Sequence, residues 1–299
     1  MDTRVKRTEY GYYELEKREK CMEFYQNEYF QNNRGLYQNQ YSVEEIEYFE
    51  KQNMQKHYIY SKVSKPKKTK RLLDVGCGEG WTLKYFSDLK TEKWDVLGID
   101  YSSYGLEQHN KDFLEGGEFF QGDIGTFLST VGKDEKFDFI TMDNVLEHVD
   151  NPIEQLKLLT ELANEKCVLW IKVPNDFSKT QRMLMDKGYI DHEFWVVEPD
   201  HNSYFNKAGL INLAENCGWH CERVLGTYPI DFNLFNDRTN YIKNKEVGKA
   251  CYHAGMEIEK MMLDISIEDK IRIDESLGSM GLGRELIGVF MLKEGRTKG

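Results

Sequence analysis

The chain has 299 residues, with 40 Lys and Arg against 51 Asp and Glu. The formal charge of −11 argues against nucleic-acid phosphate as the main partner. No apolar run approaches the ~20 residues of a membrane-spanning helix, and Met1-Asp2-Thr3-Arg4 lacks the apolar stretch of a secretory signal. Six cysteines (Cys21, Cys77, Cys167, Cys217, Cys221, Cys251) contain no Cys-x-x-Cys pair, which reads as free thiols in a cytoplasmic protein without membrane insertion.

Residues 1–66 are rich in Tyr, Glu, Gln and Lys. Ser42 and Glu45 form a capping-box pair ahead of apolar residues at 43, 46 and 49. The spacing predicts two or three amphipathic helices, a cap or lid. Tyr10, Tyr12, Tyr13, Tyr25, Tyr29, Tyr37 and Tyr41 would pack within it or stack on a ligand. Residues 61–70 read as a basic, proline-broken linker. From residue 71, apolar runs at 71–75, 94–99, 118–121, 137–142 and 168–173 alternate with stretches long enough for helices. That alternation predicts an α/β, doubly wound parallel sheet. A polar segment with Asp191-His192-Glu193 and Asp200-His201-Asn202 follows, then a helix from Asn206 to a cap at Gly218. Two further strands are predicted at 221–225 and 285–292, with a helical stretch around 256–263 between them. The chain thus divides into a cap and linker (1–66), a core (67–225), an insertion (226–284) and a last strand with tail (285–299).

The most informative segment is Arg71-Leu72-Leu73-Asp74-Val75-Gly76-Cys77-Gly78-Glu79-Gly80-Trp81-Thr82-Leu83. An apolar strand runs into Gly-x-Gly-x-Gly and then a helix, so the backbone can turn tightly and offer free N–H donors to a ligand. Dinucleotide dehydrogenases need a third glycine where Trp81 stands. Asp100 ends the second strand, placed to accept both ribose hydroxyl protons of an adenosine-containing ligand, and Asp123 closes the third, placed for an adenine amine. Either acid alone reads as a turn residue or helix cap. Together, at consecutive strand ends, they point to a cofactor.

Asp74-Val75-Gly76-Cys77-Gly78-Glu79-Gly80 resembles motif I of the class I S-adenosylmethionine-dependent methyltransferases. Phe137-Asp138-Phe139-Ile140-Thr141-Met142-Asp143-Asn144-Val145-Leu146-Glu147-His148-Val149 resembles their fourth-strand motif, in the Leu-Glu-His variant of small-molecule enzymes. The resemblance covers about residues 70–225. It implies a Rossmann-like seven-stranded sheet with residues 285–292 antiparallel near its edge, S-adenosylmethionine as cofactor and S-adenosylhomocysteine as product. It also implies the cofactor contacts: Gly76, Gly78 and Gly80 around the methionine part, Asp100 at the ribose, Asp123 and Ile124 at the adenine and Asn144 at the amino-acid end, with Asp74, Cys77, Trp81 and Tyr101 as further cofactor-binding residues.

Met142-Asp143-Asn144-Val145 stands where DNA and protein N-methyltransferases often carry Asn-Pro-Pro-Tyr, so a small-molecule acceptor is expected. Methyl transfer is an in-line displacement in which positioning does much of the work, and an oxygen nucleophile benefits from a base. His201 with Asp200 beside it, His148 and His192 are the candidates. Residues 228–235, 240–242 and 281–287 resemble methyltransferases of bacterial capsule, O-antigen and other surface-polysaccharide clusters. That likeness implies a sugar acceptor, a nucleotide-linked hexose or heptose or a glycan. Arg284 and Arg238 would face a diphosphate and Tyr204 would be a further contact. A quinone or other small molecule is the alternative acceptor, and a cofactor-binding scaffold without catalysis is the alternative class. No metal is assigned, since magnesium would require His192, Glu193, Asp200 and His201 in a spacing that is not diagnostic. A homodimer is compatible with these features.

Overall fold

The computed structural model describes residues 4–16, 40–65, 67–116, 118–132 and 134–293. At the centre is a seven-stranded sheet of β3 (Thr69–Val75), β4 (Lys93–Asp100), β5 (Glu118–Gln121), β6 (Phe137–Asp143), β7 (Ala163–Pro174), β9 (Trp219–Gly226) and β10 (Glu285–Leu292). Their order is β5-β4-β3-β6-β7-β10-β9, parallel except for β10, which runs antiparallel to both neighbours. The predicted strands are all present, most of them extended by one or two residues at an end. The chain leaves β3 toward β4 and β5 and returns to β6 on its other side. The carboxyl ends of β3 and β6 therefore flank the crevice where such sheets bind ligands.

Both faces are covered, which is why the strands read as continuous apolar runs. On one face α5 (Ile124–Val131), α6 (Pro152–Leu162) and α8 (Lys207–Asn216) bury Phe127, Leu156, Leu159, Leu210 and Leu213 against Ile140 and Ile171. On the other, α1 (Val43–Val63), α2 (Trp81–Asp88) and α10 (Ile267–Met280) bury Ile59, Tyr60, Leu83, Phe86 and Ile271 against Leu72, Phe139 and Val289. The Ser42–Glu45 capping box that opens α1 is formed in both directions. Between β9 and β10 the insertion supplies a short 3₁₀ turn (Ile230–Phe235), α9 (Gly248–Ile265) and α10. Glycine lets α10 lie directly on β9: a Cβ on Gly278 would sit 2.3 Å from the Val224 carbonyl oxygen. Five described cysteines, Cys77, Cys167, Cys217, Cys221 and Cys251, are free thiols.

The N-terminal segment departs from the helical expectation. Val5–Arg7 (β1) and Tyr13–Leu15 (β2) are strands, joined by β8 (Ser203–Tyr204) in a second, three-stranded sheet. Tyr12 stacks on Phe205 at 4.9 Å and Tyr13 on Phe177 at 4.1 Å, so these tyrosines are core rather than lid. The expectations on Tyr25, Tyr29, Tyr37 and any helix between 17 and 39 lie outside the described residues. The polar segment after β7 also holds a helix, α7 (Lys179–Asp186), opened by a Ser178–Gln181 capping box. No described helix is long and apolar enough to cross a membrane.

Candidate active site

The loop leaving β3 turns through three left-handed residues: Gly76 at φ 66°, Gly78 at φ 51° and Gly80 at φ 78°. A Cβ on Gly76 would lie 2.3 Å from Val145 Cγ2, and one on Gly105 of α3 (Tyr104–His109) would meet the Gly78 carbonyl oxygen at 2.6 Å. Asp100, at the end of β4, accepts the Gly78 N–H at 2.9 Å and the Ser102 N–H at 3.0 Å. Burial lifts its carboxyl above the usual range despite those donors, and each oxygen keeps a second lone pair for a ribose hydroxyl. Asp123 caps α5 by accepting the Thr126 N–H at 2.7 Å. Its neighbour Ile124 is wholly buried in the core, so its side chain does not border an adenine, contrary to expectation. Tyr101 is half-buried and its carbonyl accepts from Gln121 Nε2 at 3.0 Å. Cys77 is buried, its sulfur packed where a Cβ on Gly98 would approach within 2.8 Å.

Beside this loop lies a cavity of about 210 Å³. Gly76, Gly78, Glu79, Trp81 and Thr82 bound one side, and Tyr48, Phe49, Asn53 and Lys56 of α1 another. Asp74, Asp143, Lys172, Glu259 and Asp274 complete its wall. Trp81 turns away from the sheet, donating its indole N–H to Glu79 at 2.8 Å, with its ring 5.6 Å from that of Phe49. Asp74 accepts from the Thr141 hydroxyl at 2.6 Å, and burial lifts its carboxyl to about 7. Lys56 donates to Asp143 at 2.8 Å and to the Thr82 hydroxyl at 3.1 Å, while the Trp170 indole N–H also donates to Asp143, at 2.8 Å. Burial opposes ionisation of Asp143, but Lys56 and Lys172 outweigh it and hold the carboxyl below its usual range. At the roof, Lys270 donates to Glu259 at 2.9 Å and to Asp274 at 2.6 Å. Gln55 adds a bond to Asp274 at 2.7 Å, and the Tyr48 hydroxyl donates to Glu259. A cavity walled by Asp74, Gly76 and Gly78, with Asp100 holding the loop from the end of the next strand, fits a ligand joining an amino-acid tail to an adenosine.

The loop leaving β6 forms the neighbouring region. Asn144 adopts φ 54°, donates its N–H to the Lys172 carbonyl at 2.8 Å and its side chain to Glu285 at 3.2 Å. His148 Nδ1 lies 2.5 Å from the Asp200 carbonyl oxygen. Since a carbonyl only accepts, Nδ1 carries the proton and Nε2 the lone pair. The His201 ring packs edge-on to His148 at 4.8 Å. Burial pushes His148 down to about 4 and His201 to about 3, so both are neutral at physiological pH. Buried Glu147, His148 and His201 bring ligand atoms within 4.8 Å of one another, a cluster that could share a cation. The four-residue magnesium set does not assemble: His192 is exposed and paired with Asp191 at 2.6 Å.

Other expectations also change. Tyr204 is fully buried, and its hydroxyl donates toward the His201 carbonyl at 3.0 Å, so it is a core residue rather than a substrate contact. Arg284 lies 3.4 Å from Asp176, and Asp231 and Asp176 outweigh burial to hold its guanidinium above its usual range. Arg238 is exposed on the surface, and its described hydrogen bond is a backbone one to Asn236. The two arginines do not form a diphosphate clamp. Conversely, Lys56, Lys172, Glu259 and Asp274 line the cavity without having been singled out. Lys172 carried a readable signal, a lone charge inside an apolar strand run.

A parallel sheet with a glycine loop at its switch point and a ribose-ready acid on the next strand defines a nucleoside-cofactor enzyme of the doubly wound class. The family described as methyltransferase domain matches residues 47–224, and the chain belongs to that family. It is an S-adenosylmethionine-dependent methyltransferase. Among curated relatives, the ubiquinone biosynthesis O-methyltransferase of Pasteurella multocida is 27% identical over 203 residues, covering 64% of this chain and 79% of the relative. The enzyme of the same name from Shewanella pealeana is 25% identical over 184 residues, covering 60% and 74%. Among solved structures, a protein from Galdieria sulphuraria assigned as a sarcosine dimethylglycine methyltransferase superposes with a TM-score of 0.49 at 12% identity, covering 82% of this chain and 85% of that one.

Proposed function

We propose that the enzyme methylates a hydroxyl oxygen of a small aromatic, quinone-type acceptor. The observation that carries this reading is His148, in the loop that leaves β6, tied by the Asp200 carbonyl into the tautomer that leaves Nε2, 3.8 Å from Glu147, as the basic nitrogen. The cofactor supplies an electrophilic methyl group on a sulfonium. The chain's own residues hold the rest. The Gly76–Gly80 backbone cradles the amino-acid tail, Asp100 takes the ribose, and α1 covers the cleft through Phe49 and Lys56 to exclude water. His148 Nε2 takes the hydroxyl proton as the new O–CH₃ bond forms. His201, neutral and packed against the ring, keeps His148 oriented.

The named relatives support an aromatic acceptor over a sugar. Of the two arginines suggested for a diphosphate, Arg284 faces Asp176 and Asp231 and Arg238 is exposed on the surface. The test is a product assay with deuterated-methyl cofactor against catechol, hydroquinone and UDP-, GDP- and dTDP-hexoses. The reading expects a phenolic methyl ether, and turnover falling about 10²–10⁴-fold in His148→Ala. Methylation confined to the nucleotide sugars would overturn it.

A further inference from the structure

Strand β7 is apolar from Cys167 to Val173 except at Lys172, whose flanking residues Ile171 and Val173 are fully buried. A lysine in the middle of a covered sheet needs a reason, because its ammonium must be desolvated. The side chain is 16% exposed and reaches the same cavity wall as Gly76 and Gly78. Its ammonium carries three donors and no acceptor. The nearest described carboxylate is Glu285, at 3.9 Å, beyond hydrogen-bond reach. Among the described residues, Nζ makes no hydrogen bond.

The surrounding acids are engaged elsewhere. Asp143 accepts from Lys56 and Trp170, Glu259 from Lys270 and Tyr48, and Glu285 from Asn144. Glu147 also faces the lysine, with burial holding its carboxyl far above the usual range. Burial pushes the Lys172 ammonium down, but Glu285, Asp143, Glu259 and Glu147 outweigh it and keep the group charged. Lys172 is therefore a fixed cation, not a base, with its donors turned to a ligand cavity.

The geometry points to Lys172 as the residue that binds the acceptor's reacting oxygen, hydrogen-bonding it as a phenolate. This rests on the aromatic-acceptor reading above. The phenol proton passes to His148 Nε2, the phenolate oxygen forms the bond to the methyl carbon, and the C–S bond breaks with its electron pair leaving on sulfur. The same lysine selects for acidity. A phenol ionises near pH 10, close to an ordinary lysine at about 10.4, so an ammonium can stabilise a phenolate without surrendering its proton. An alkoxide from a sugar is far more basic and would take that proton.

The test uses the full chain saturated with S-adenosylhomocysteine and titrated with 4-nitrocatechol, whose ionised form has its own visible absorption. In wild type the bound probe should ionise about 1–3 pH units below the free probe. Lys172→Met should bring it back to the free value, and Lys172→Arg should retain most of the shift. Turnover should follow, with Lys172→Met losing at least about tenfold more on catechol than on the more acidic nitrocatechol, because stabilising an oxyanion matters less when it forms readily. If Lys172→Met melts and binds S-adenosylhomocysteine like wild type yet ionises the probe equally, the inference falls while the aromatic reading survives. If wild type binds the cofactor product but neither binds nor methylates either catechol, the acceptor reading fails and takes the inference with it. Should Lys172→Met not fold, Glu285→Gln serves instead: removing the counter-charge should deepen the ionisation shift, and no change would contradict the assignment.

Discussion

The half of the cleft proposed for the cofactor is made of backbone; the half proposed for the acceptor is made of buried charge. Around residues 76–80 the parts are left-handed glycines and one carboxylate that ties the next strand to the loop. Across the cavity, α1 and β6 pair Lys56 with Asp143, α9 and α10 pair Glu259 and Asp274 with Lys270, and β7 and β10 set Lys172 beside Glu285, at 2.6–3.9 Å. The first construction tolerates no side chain where backbones meet. The second tolerates no missing partner. A common adenosine-bearing cofactor can be held by generic backbone groups, whereas an acceptor must be told apart by the placement of charges.

The comparison breaks most visibly at Lys270, which is 2% exposed and neutralises Glu259 and Asp274. Lys270→Met leaves those acids uncompensated and should lower unfolding free energy by about 3–5 kcal/mol in urea titration. A loss under about 1 kcal/mol would mean that water, not the lysine, satisfies the cluster. Gly76→Ala probes the other construction. With φ 66° and a Cβ 2.3 Å from Val145 Cγ2, it should cost about 1–3 kcal/mol of stability and displace the loop, weakening binding of S-adenosylhomocysteine. A variant with wild-type melting and affinity would show that the loop is not close-packed.

Asp74 sharpens the contrast through pH. Burial lifts its carboxyl to about 7, so the folded state holds a proton that the unfolded chain releases near pH 3.9. Its contribution to stability is complete below about pH 4 and is lost as pH rises through about 7. Asp74→Asn keeps an acceptor for the Thr141 hydroxyl and removes the titration. The variant should therefore gain on wild type between pH 4 and 7.5, by about 1.4 kcal/mol per unit of pKa displacement. Parallel stability profiles across that range would show that the buried carboxyl titrates normally.

The two halves were not equally legible. Gly76, Gly78, Gly80, Asp100 and Asp123 could be read because a strand, a tight turn and a helix start are written in consecutive residues. The resemblance then gave those residues their roles, although Ile124 proved to be core. The acceptor half leaves no local pattern. Lys56 looks like any lysine on an amphipathic helix, and Glu259 and Asp274, more than 200 residues further along, share a cavity wall with it only in the folded chain. Arg284 and Arg238 looked alike in sequence; what separates them is that Asp176 and Asp231 lie beside one alone. The N-terminal tyrosines misled for the same reason. Val5–Arg7 and Tyr13–Leu15 are three residues each, too short for a strand signal, and Tyr13 finds its outer partner in Tyr204.

Calorimetric titration of S-adenosylhomocysteine into wild type, Asp100→Ala and Lys172→Met tests most directly whether the cavity is a cofactor site divided in this way. The account predicts binding to wild type, an affinity loss of about 10–100-fold in Asp100→Ala, which removes a charge-assisted acceptor, and a change of no more than about twofold in Lys172→Met, whose ammonium is assigned to the acceptor and not to the cofactor product. No binding to wild type, or a loss concentrated in Lys172→Met with Asp100→Ala unaffected, would contradict it.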